Sequence, residues 1–322
     1  MKAAVYYENG GPEVLRYEEV PDPAPKAGEV LLRIEAVGVQ GGDTLHRQLT
    51  PFESAPHIVG YQAAGTIAAV GEGVTAVREG QRAVAFMMAG SHAELAAVPL
   101  HNVYVVPDDM DPRVAAGIPV EFGTADDCLF EFGHLKAGET VLIQAAAGGV
   151  GLAAVQLAKA AGATVIGTAS SDEKLARLAD YGLDHAINYK NDDVVERVRE
   201  LTDGRGVDLV LDPVGGRTLE GSINALAYRG RISWVGQASR ESYSPQLGPL
   251  MGKSASLNGV YFGAEMSHNP ERTRALIEKL IGRVASGELK VVIDKEFPLA
   301  EAAEAHRYIE SRAAFGRVLL IP

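Results

Sequence analysis

The stretch that decides the fold is Thr140-Val-Leu-Ile-Gln144-Ala-Ala-Ala-Gly148-Gly149-Val150-Gly151, followed by Leu-Ala-Ala-Val-Gln-Leu-Ala-Lys-Ala-Ala161. A short apolar run, a turn of small residues and an alanine-rich helical pattern come in that order. A strand that enters a glycine turn and leaves as a helix places bare backbone N–H groups and a helix N-terminus at one point. A diphosphate needs that arrangement, so the motif is read as a dinucleotide cradle formed by Ala147, Gly148, Gly149 and Val150. Gly151 is expected to let the helix pack closely on its strand. Ala146 stands at the first glycine position of the GxGxxG pattern, so the strict form is not met. The strand–turn–helix context carries the reading instead.

Working outward, β-branched runs alternate with helical patterns. Strands are predicted at Thr140–Gln144, Thr164–Thr168, Ala186–Asn188, Val207–Leu211 and Arg231–Val235. Helices are predicted at Val150–Ala161, Asp172–Tyr181, Asp192–Leu201, Arg217–Tyr228 and Pro270–Ser286. Alternation of this kind predicts βαβ units with right-handed crossovers and a doubly wound parallel sheet. Asp172 is read as an N-cap, and Gly182 as the residue that closes the same helix. Upstream, the chain is β-rich. Val30–Val39, Ala64–Val70 and Arg82–Phe86 are strand-like, and glycines at 28, 38, 60, 71, 73 and 80 punctuate them as turns. This pattern suggests a small barrel or sandwich. Helical segments follow at Pro112–Ile118 and Gly123–Phe132. Strand-like runs return at Val291–Phe297 and Arg317–Ile321.

The second strand of the cofactor region selects the nucleotide. An NAD-preferring site places Asp or Glu at its tip to take the ribose 2′-hydroxyl. Here Thr164-Val-Ile-Gly-Thr168 runs into Ala169-Ser170-Ser171, with no carboxylate at the tip. Ser170, Ser171 and Lys174 are the candidates to hold a 2′-phosphate, with Tyr189 beside the adenine or that phosphate. The cofactor read from these residues is NADPH.

Composition limits the other possibilities. The chain has 322 residues, enough for two domains. A formal net charge of −12 disfavours nucleic acid and anionic membranes as partners. Cys128 is the single cysteine, so neither an internal disulfide nor a multi-cysteine metal site can be built. That fits a reducing compartment, and a cytoplasmic setting is expected. No basic segment followed by a long apolar stretch opens the chain, so no signal peptide is expected. No apolar run of about 18 residues occurs, so no membrane helix is expected.

Further segments complete a resemblance. These are Met1-Lys-Ala-Ala-Val5, Gly-Glu-Val-Leu-Leu-Arg-Ile (28–34), Ala-Ala-Gly-Thr-Ile-Ala-Ala-Val-Gly-Glu-Gly-Val (63–74), Ile-Asn-Tyr (187–189) and Gly-Arg-Val-Leu-Leu-Ile-Pro (316–322). With the glycine turn, they make the chain resemble the medium-chain dehydrogenase/reductase superfamily, in its zinc-free quinone oxidoreductase branch. The resemblance implies a GroES-like β-barrel substrate domain from residues 1–122 and 291–322. It implies a Rossmann cofactor domain inserted between them at 123–290, with a cleft between the two. It also implies homodimers, or tetramers, formed through the cofactor domains.

By the same resemblance, the zinc-ligand positions of metal-dependent relatives fall at Gln40, Tyr61 and near Val120. None suits a site that needs N or S donors, so no metal is expected. Four scattered histidines, His46, His57, His92 and His101, show no ligand spacing and are read as surface or loop residues. Without a Lewis acid to lower an alcohol's pKa, reduction of an electron-poor acceptor is the expected chemistry. The acceptor is a small quinone or an enone, with hydride supplied by NADPH.

Gln40, Tyr61 and Gln62 are the candidate donors to the oxygen where charge develops. Asp43 is read as a loop-holding residue. His46 and Arg47 are nearby polar alternatives, Arg47 with the bland reading of a solvated side chain. Leu45 replaces a tyrosine that quinone-reducing relatives often carry. Around the cofactor, the resemblance implies Thr124 near the nicotinamide and Gly236-Gln237-Ala238 at its ribose or diphosphate. It implies Tyr261-Phe262-Gly263 at the carboxamide and Arg317 as a terminal basic contact. Asp212-Pro-Val-Gly-Gly216 lies near the cofactor by topology. Two alternatives stay open: an enoyl or alkenal reductase, and an NADPH-binding structural or RNA-binding protein.

Overall fold

The computed structural model describes residues 1–52 and 54–322. The chain divides into two compact units. One is formed by Met1–Val120 with Gly263–Pro322, the other by Glu121–Phe262.

The inserted unit holds a six-stranded, all-parallel sheet. Its order is His185–Asn188, Thr164–Ala169, Thr140–Ile143, Val207–Asp212, Leu226–Trp234 and Ser256–Gly259. The first strand in sequence lies third in space, so the order reverses between it and the fourth strand. Such a switch point is where α/β sheets bind ligands, at the carboxyl ends of the strands. The strands are runs of Val, Ile and Leu because helices cover the sheet and no face meets water. Leu142, Ile166, Ile187, Val210 and Ile232 are fully buried among Val198, Leu219 and Ile223. The fold class expected from the sequence, a GroES-like barrel domain with an inserted Rossmann sheet, is the one observed.

The other unit carries a seven-stranded sheet. Ile293–Pro298 pairs in parallel with Arg317–Ile321, which pairs antiparallel with Glu29–Val39. Gln62–Val70, Arg82–Phe86 and Val103–Val105 then follow, and Leu95–Pro99 pairs with Glu29–Val39 off that path. Segments 26–108 and the last thirty residues therefore share one sheet. A second sheet of three strands, Arg16–Glu19, Lys2–Tyr6 and His57–Ile58, completes the unit.

The structure departs from the sequence reading in several places. The helix Pro270–Ala285 belongs with the GroES-like sheet, although the sequence reading placed it in the cofactor domain. Arg274 explains this: its guanidinium donates to the Leu100, His101 and Val103 carbonyls and lies 4.9 Å from the Tyr104 ring centroid. The helix after the fourth strand ends at Ala225 rather than Tyr228, and Leu226 begins the fifth strand. The ladder there is irregular between Val207 and Leu209, with Arg229 at φ 61°. The cap of the helix Asp172–Ala179 is Ser171, not Asp172. Ser171 Oγ accepts from the Lys174 N–H, while the Asp172 carboxylate accepts from the Asn188 amide at 2.8 Å. Gly182 closes that helix region with φ 106°.

Candidate functional site

The glycine turn forms as its sequence demands. Gly148 is the N-cap of the helix Gly149–Ala160 and lies exposed. The first-turn N–H groups of a helix have no partner within it, and here they open beside the turn. A Cβ at Gly151 would lie 2.4 Å from the Ala145 carbonyl oxygen and 2.7 Å from the Ala146 Cα. Only glycine permits that approach of helix to turn.

Ala145 takes a left-handed conformation, φ 50°, which costs a residue with a Cβ roughly 1–2 kcal/mol. Bonds to the neighbouring strand hold it. The Ala145 N–H donates to Thr168 Oγ1 at 3.1 Å, and the Ala146 N–H donates to the Thr168 carbonyl at 2.8 Å. The adjoining loops at the same sheet edge are stitched together. Ala238 N–H donates to the Pro213 carbonyl, Ser239 N–H to Val214, and Trp234 Nε1 to the Gly236 carbonyl at 2.6 Å. A Cβ at Gly236 would lie 2.7 Å from the Pro213 oxygen, so this pair of loops also requires glycine.

The predicted cofactor residues fall as follows. Ala147, Gly148, Gly149 and Val150 form the turn and the first helical residues. Ser170 and Ser171 follow the second strand, half-buried, with Lys174 one turn into the next helix. Tyr189 follows the third strand and is 38% exposed. Gly236, Gln237 and Ala238 follow the fifth strand, with Gln237 and Ala238 exposed. All of these lie at the carboxyl ends of the parallel strands. Thr124 lies buried in the helix Pro119–Asp126. In the same helix, Gly123 packs against Phe262, whose ring would lie 2.4 Å from a Cβ added at Gly123. The Phe262 ring is therefore a packing group, while Tyr261 is 63% exposed. Gly263 continues the helix Phe262–His268.

The candidate donors of the GroES-like unit gather at one end of its long strands. Gln40 ends the strand Glu29–Val39 and caps the helix Gly41–Leu49. Its N–H donates to the Asp43 carboxylate at 2.7 Å, which gives Asp43 the loop-holding role expected of it. Arg317 is buried there. Its guanidinium donates to the Gln40 side-chain oxygen at 3.3 Å and to the Val39 carbonyl at 2.8 Å. Gln62 is fully buried, and its side-chain oxygen accepts from the Val120 N–H at 3.0 Å. Tyr61 donates to the Gly42 carbonyl at 3.3 Å and packs beneath Gly42. Gln40 and Tyr61 thus flank one helix start, with Arg317 fixing the Gln40 amide from behind.

Burial in this unit departs from the sequence reading at two residues. Arg47 is not solvated: it is the largest fully buried side chain. It donates to the Gly10 carbonyl, to His306 Nδ1 at 2.9 Å and to Glu310 at 2.6 Å. His92 lies in a loop, one of the two settings expected, but not at the surface. It is fully buried, with Nε2 3.0 Å from His306 Nε2. Burial lowers the His92 pKa to about 3 and lowers that of His306 well below its ordinary value. His46 and His57 stack on each other with centroids 5.3 Å apart, and burial lowers both pKa values. Among the described residues, no group of three or more His, Cys, Asp or Glu side chains is placed to hold a metal.

Comparison with known proteins agrees with this geometry. Residues 26–108 match the family model of the alcohol dehydrogenase GroES-like domain, and residues 149–281 that of the zinc-binding dehydrogenases. A quinone oxidoreductase of Pseudomonas aeruginosa is 36% identical over 315 residues, covering 97% of each chain. A 2-haloacrylate reductase of a Burkholderia species is 36% identical over 332 residues, covering 99% of this chain and 98% of that one. The crystal structure of Escherichia coli quinone oxidoreductase complexed with NADPH superposes over 100% of both chains with a TM-score of 0.95 and 33% identity. The chain belongs to the medium-chain dehydrogenase/reductase superfamily, in its zinc-free quinone oxidoreductase branch.

Proposed function

We propose that this protein is an NADPH-dependent reductase of quinones or α,β-unsaturated carbonyl compounds that works without zinc. The observation that carries the reading is the glycine turn and helix start at 148–151, joined to a second strand followed by Ser170 and Ser171, with no acid at its tip and Lys174 in the helix beyond. The residues present suit the nucleotide. The turn N–H groups of Ala147 to Val150 hold the diphosphate. Ser170, Ser171 and Lys174 hold the 2′-phosphate, and Tyr189 lies beside it. The loop Gly236–Ala238 holds the nicotinamide ribose or diphosphate, and the backbone of 261–263 holds the carboxamide. Thr124 faces the nicotinamide side, and Arg317 acts through Gln40. NADPH supplies the hydride when bound.

The GroES-like unit orients the acceptor and stabilises the charge that develops on its oxygen. Gln40 and Tyr61 are the donors: Arg317 holds the Gln40 side-chain oxygen, and the Tyr61 hydroxyl turns its one proton from the Gly42 carbonyl to the acceptor. A prepositioned donor such as the Gln40 amide is worth about 3 kcal/mol in barrier height. Gln62 backs them from a fully buried position. A similar relative that reduces a 2-haloacrylate supports an activated alkene as an acceptor class beside quinones.

The protein works in the cytoplasm as a homodimer, or a tetramer, assembled through the cofactor units. The strand Ser256–Gly259 ends the sheet order and offers an edge for pairing. Tyr228 in the strand that pairs with it and Met251 in the helix before it are exposed. No helix among the described residues is long and apolar enough to cross a membrane.

Stopped-flow oxidation of NADPH and NADH against 1,4-benzoquinone, 9,10-phenanthrenequinone and a 2-alkenal tests the reading. The expected result is turnover with NADPH of at least one acceptor, unchanged by a chelator. Turnover that a chelator abolishes and zinc restores would overturn it.

A further inference from the structure

Beneath the cofactor turn runs a continuous chain of buried side chains that crosses three strands. The Ala145 N–H donates to Thr168 Oγ1 at 3.1 Å. The Thr168 hydroxyl donates to Gln144 Oε1 at 2.9 Å. Gln144 Nε2 donates to Ser222 Oγ at 3.2 Å, and the Ser222 hydroxyl donates to Asp212 Oδ2 at 2.7 Å. Asp212 Oδ1 accepts from the Val214 and Gly215 N–H groups at 2.8 and 2.9 Å. Every side chain in it is at most 3% exposed. The donors and acceptors run in one direction, from the backbone of the glycine turn to a carboxylate that accepts three bonds. Burial raises the Asp212 pKa, and the Gly215, Ser222 and Val214 donors oppose it.

We infer that the Thr168–Gln144–Ser222–Asp212 chain is a positioning device that locks the loops 145–148 and 213–216 into one shape to receive the dinucleotide. The inference rests on the functional reading above. None of the four side chains needs to touch the cofactor. At one end, the chain fixes the left-handed Ala145 that turns the following N–H groups outward. At the other end, it fixes the turn at Val214 and Gly215, whose neighbours Pro213 and Val214 bind the loop carrying Gly236–Ala238. Two loops of the nucleotide edge thus share one buried chain, and a third is attached to it. Buried polar chains are strong when fully satisfied and costly when one link is missing.

Direction gives the test. In Asp212→Asn, the amide oxygen still accepts from Val214 and Gly215. Its NH2 group then faces Ser222 Oγ, which already accepts from Gln144, and the Ser222 proton has no acceptor. Adding Gln144→Glu supplies that acceptor, keeps the one buried negative charge and still accepts from Thr168. The double variant therefore runs the Ser222 link in reverse, with an acceptor again for the Ser222 proton.

NADPH affinity is measured by fluorescence titration, with KM for NADPH and kcat beside it, on folded protein confirmed by circular dichroism. D212N is expected to bind NADPH about tenfold more weakly, about 1.4 kcal/mol, the change falling on KM more than on kcat. D212N/Q144E is expected to recover to within about threefold of the wild type, about 0.65 kcal/mol. Should D212N not fold, the pair Thr168→Val and Thr168→Ser asks the same question at the other end. The valine variant is expected to lose about tenfold, and the serine variant, which keeps the hydroxyl, to bind like the wild type. D212N binding as tightly as the wild type, a double variant no better than the single, or equal binding by T168V and T168S would overturn the inference while the wild type still binds. A wild type that binds neither NADPH nor NADH would remove the functional reading itself, and the inference with it.

Discussion

The two units each bury a polar chain, and the chains differ in what they hold. In the cofactor unit, Thr168, Gln144, Ser222 and Asp212 join the ends of three parallel strands, and their outermost partners are loop N–H groups. In the GroES-like unit, Arg47 joins Gly10, His306 and Glu310, and His306 leads on to His92. That second chain ties segments far apart in sequence, from the beginning, the middle and the end of the unit, and holds a helix to a helix. The first sets the shape of loops that face a ligand, and the second closes a fold. Both obey the rule that a buried polar group must be partnered. The lesson is that burial alone does not distinguish a structural network from a site-building one. What distinguishes them is whether the terminal partners are loop backbone at a binding edge or the ends of packed elements.

The largest way to break the comparison is Arg47→Met. Removing a buried cation leaves Glu310 and the Gly10 carbonyl without their donor, and losses of this kind cost about 3–5 kcal/mol. The expected outcome in urea unfolding is a loss of that size, with NADPH affinity of the remaining folded protein unchanged. A weakened nucleotide affinity would show that the two chains are not separate in function.

Gly151→Ala acts on the opposite unit. Its Cβ meets the Ala145 carbonyl and the Ala146 backbone, neither of which can swing aside. A loss of stability of about 1–3 kcal/mol is expected, together with weaker NADPH binding because the turn itself shifts. Unchanged binding would mean that the turn tolerates displacement and that its shape is not what the nucleotide reads.

Acidification sharpens the contrast further. In the unfolded chain, His92 and His306 take up protons near pH 6.5. In the folded unit, burial keeps both neutral, His92 down to about pH 3. Stability from this region is therefore full above about pH 6.5 and is lost as the pH falls below it, at up to about 1.4 kcal/mol per pH unit for each histidine. Thermal melts between pH 7.5 and 5 should show that fall, and His92→Gln should make it shallower. A slope unaltered by H92Q would assign the acid sensitivity to other groups.

The cofactor unit was far more legible in the sequence than the site was. Strands such as Val141-Leu-Ile143 and Val207–Leu211 are apolar because they are covered on both faces, and that pattern needs no context. The turn Ala147–Gly151 is legible because glycine is required wherever backbone approaches backbone. The helix Gly41–Leu49 was hidden by its own start: Gly41-Gly42 reads as a turn, and Gln40 and Asp43 are not the usual Ser/Thr and Glu/Gln pair of the local capping box they form. Arg47 and His92 were misread because a lone charged or imidazole side chain carries no mark of its burial. Arg47 finds Glu310 and His306 only when the last helix folds against the first, and no spacing in the sequence links them. Asp212 was placed near the cofactor by topology, yet Thr168, Gln144 and Ser222 are ordinary strand and helix residues until the three strands lie side by side.

Isothermal calorimetry of the purified chain with NADPH and with NADH tests the central claim most directly. The account predicts one NADPH bound per chain, at least tenfold more tightly than NADH, a difference of about 1.4 kcal/mol or more. Heat of binding from neither nucleotide would contradict it, and equal affinity for the two would remove the role given to Ser170, Ser171 and Lys174.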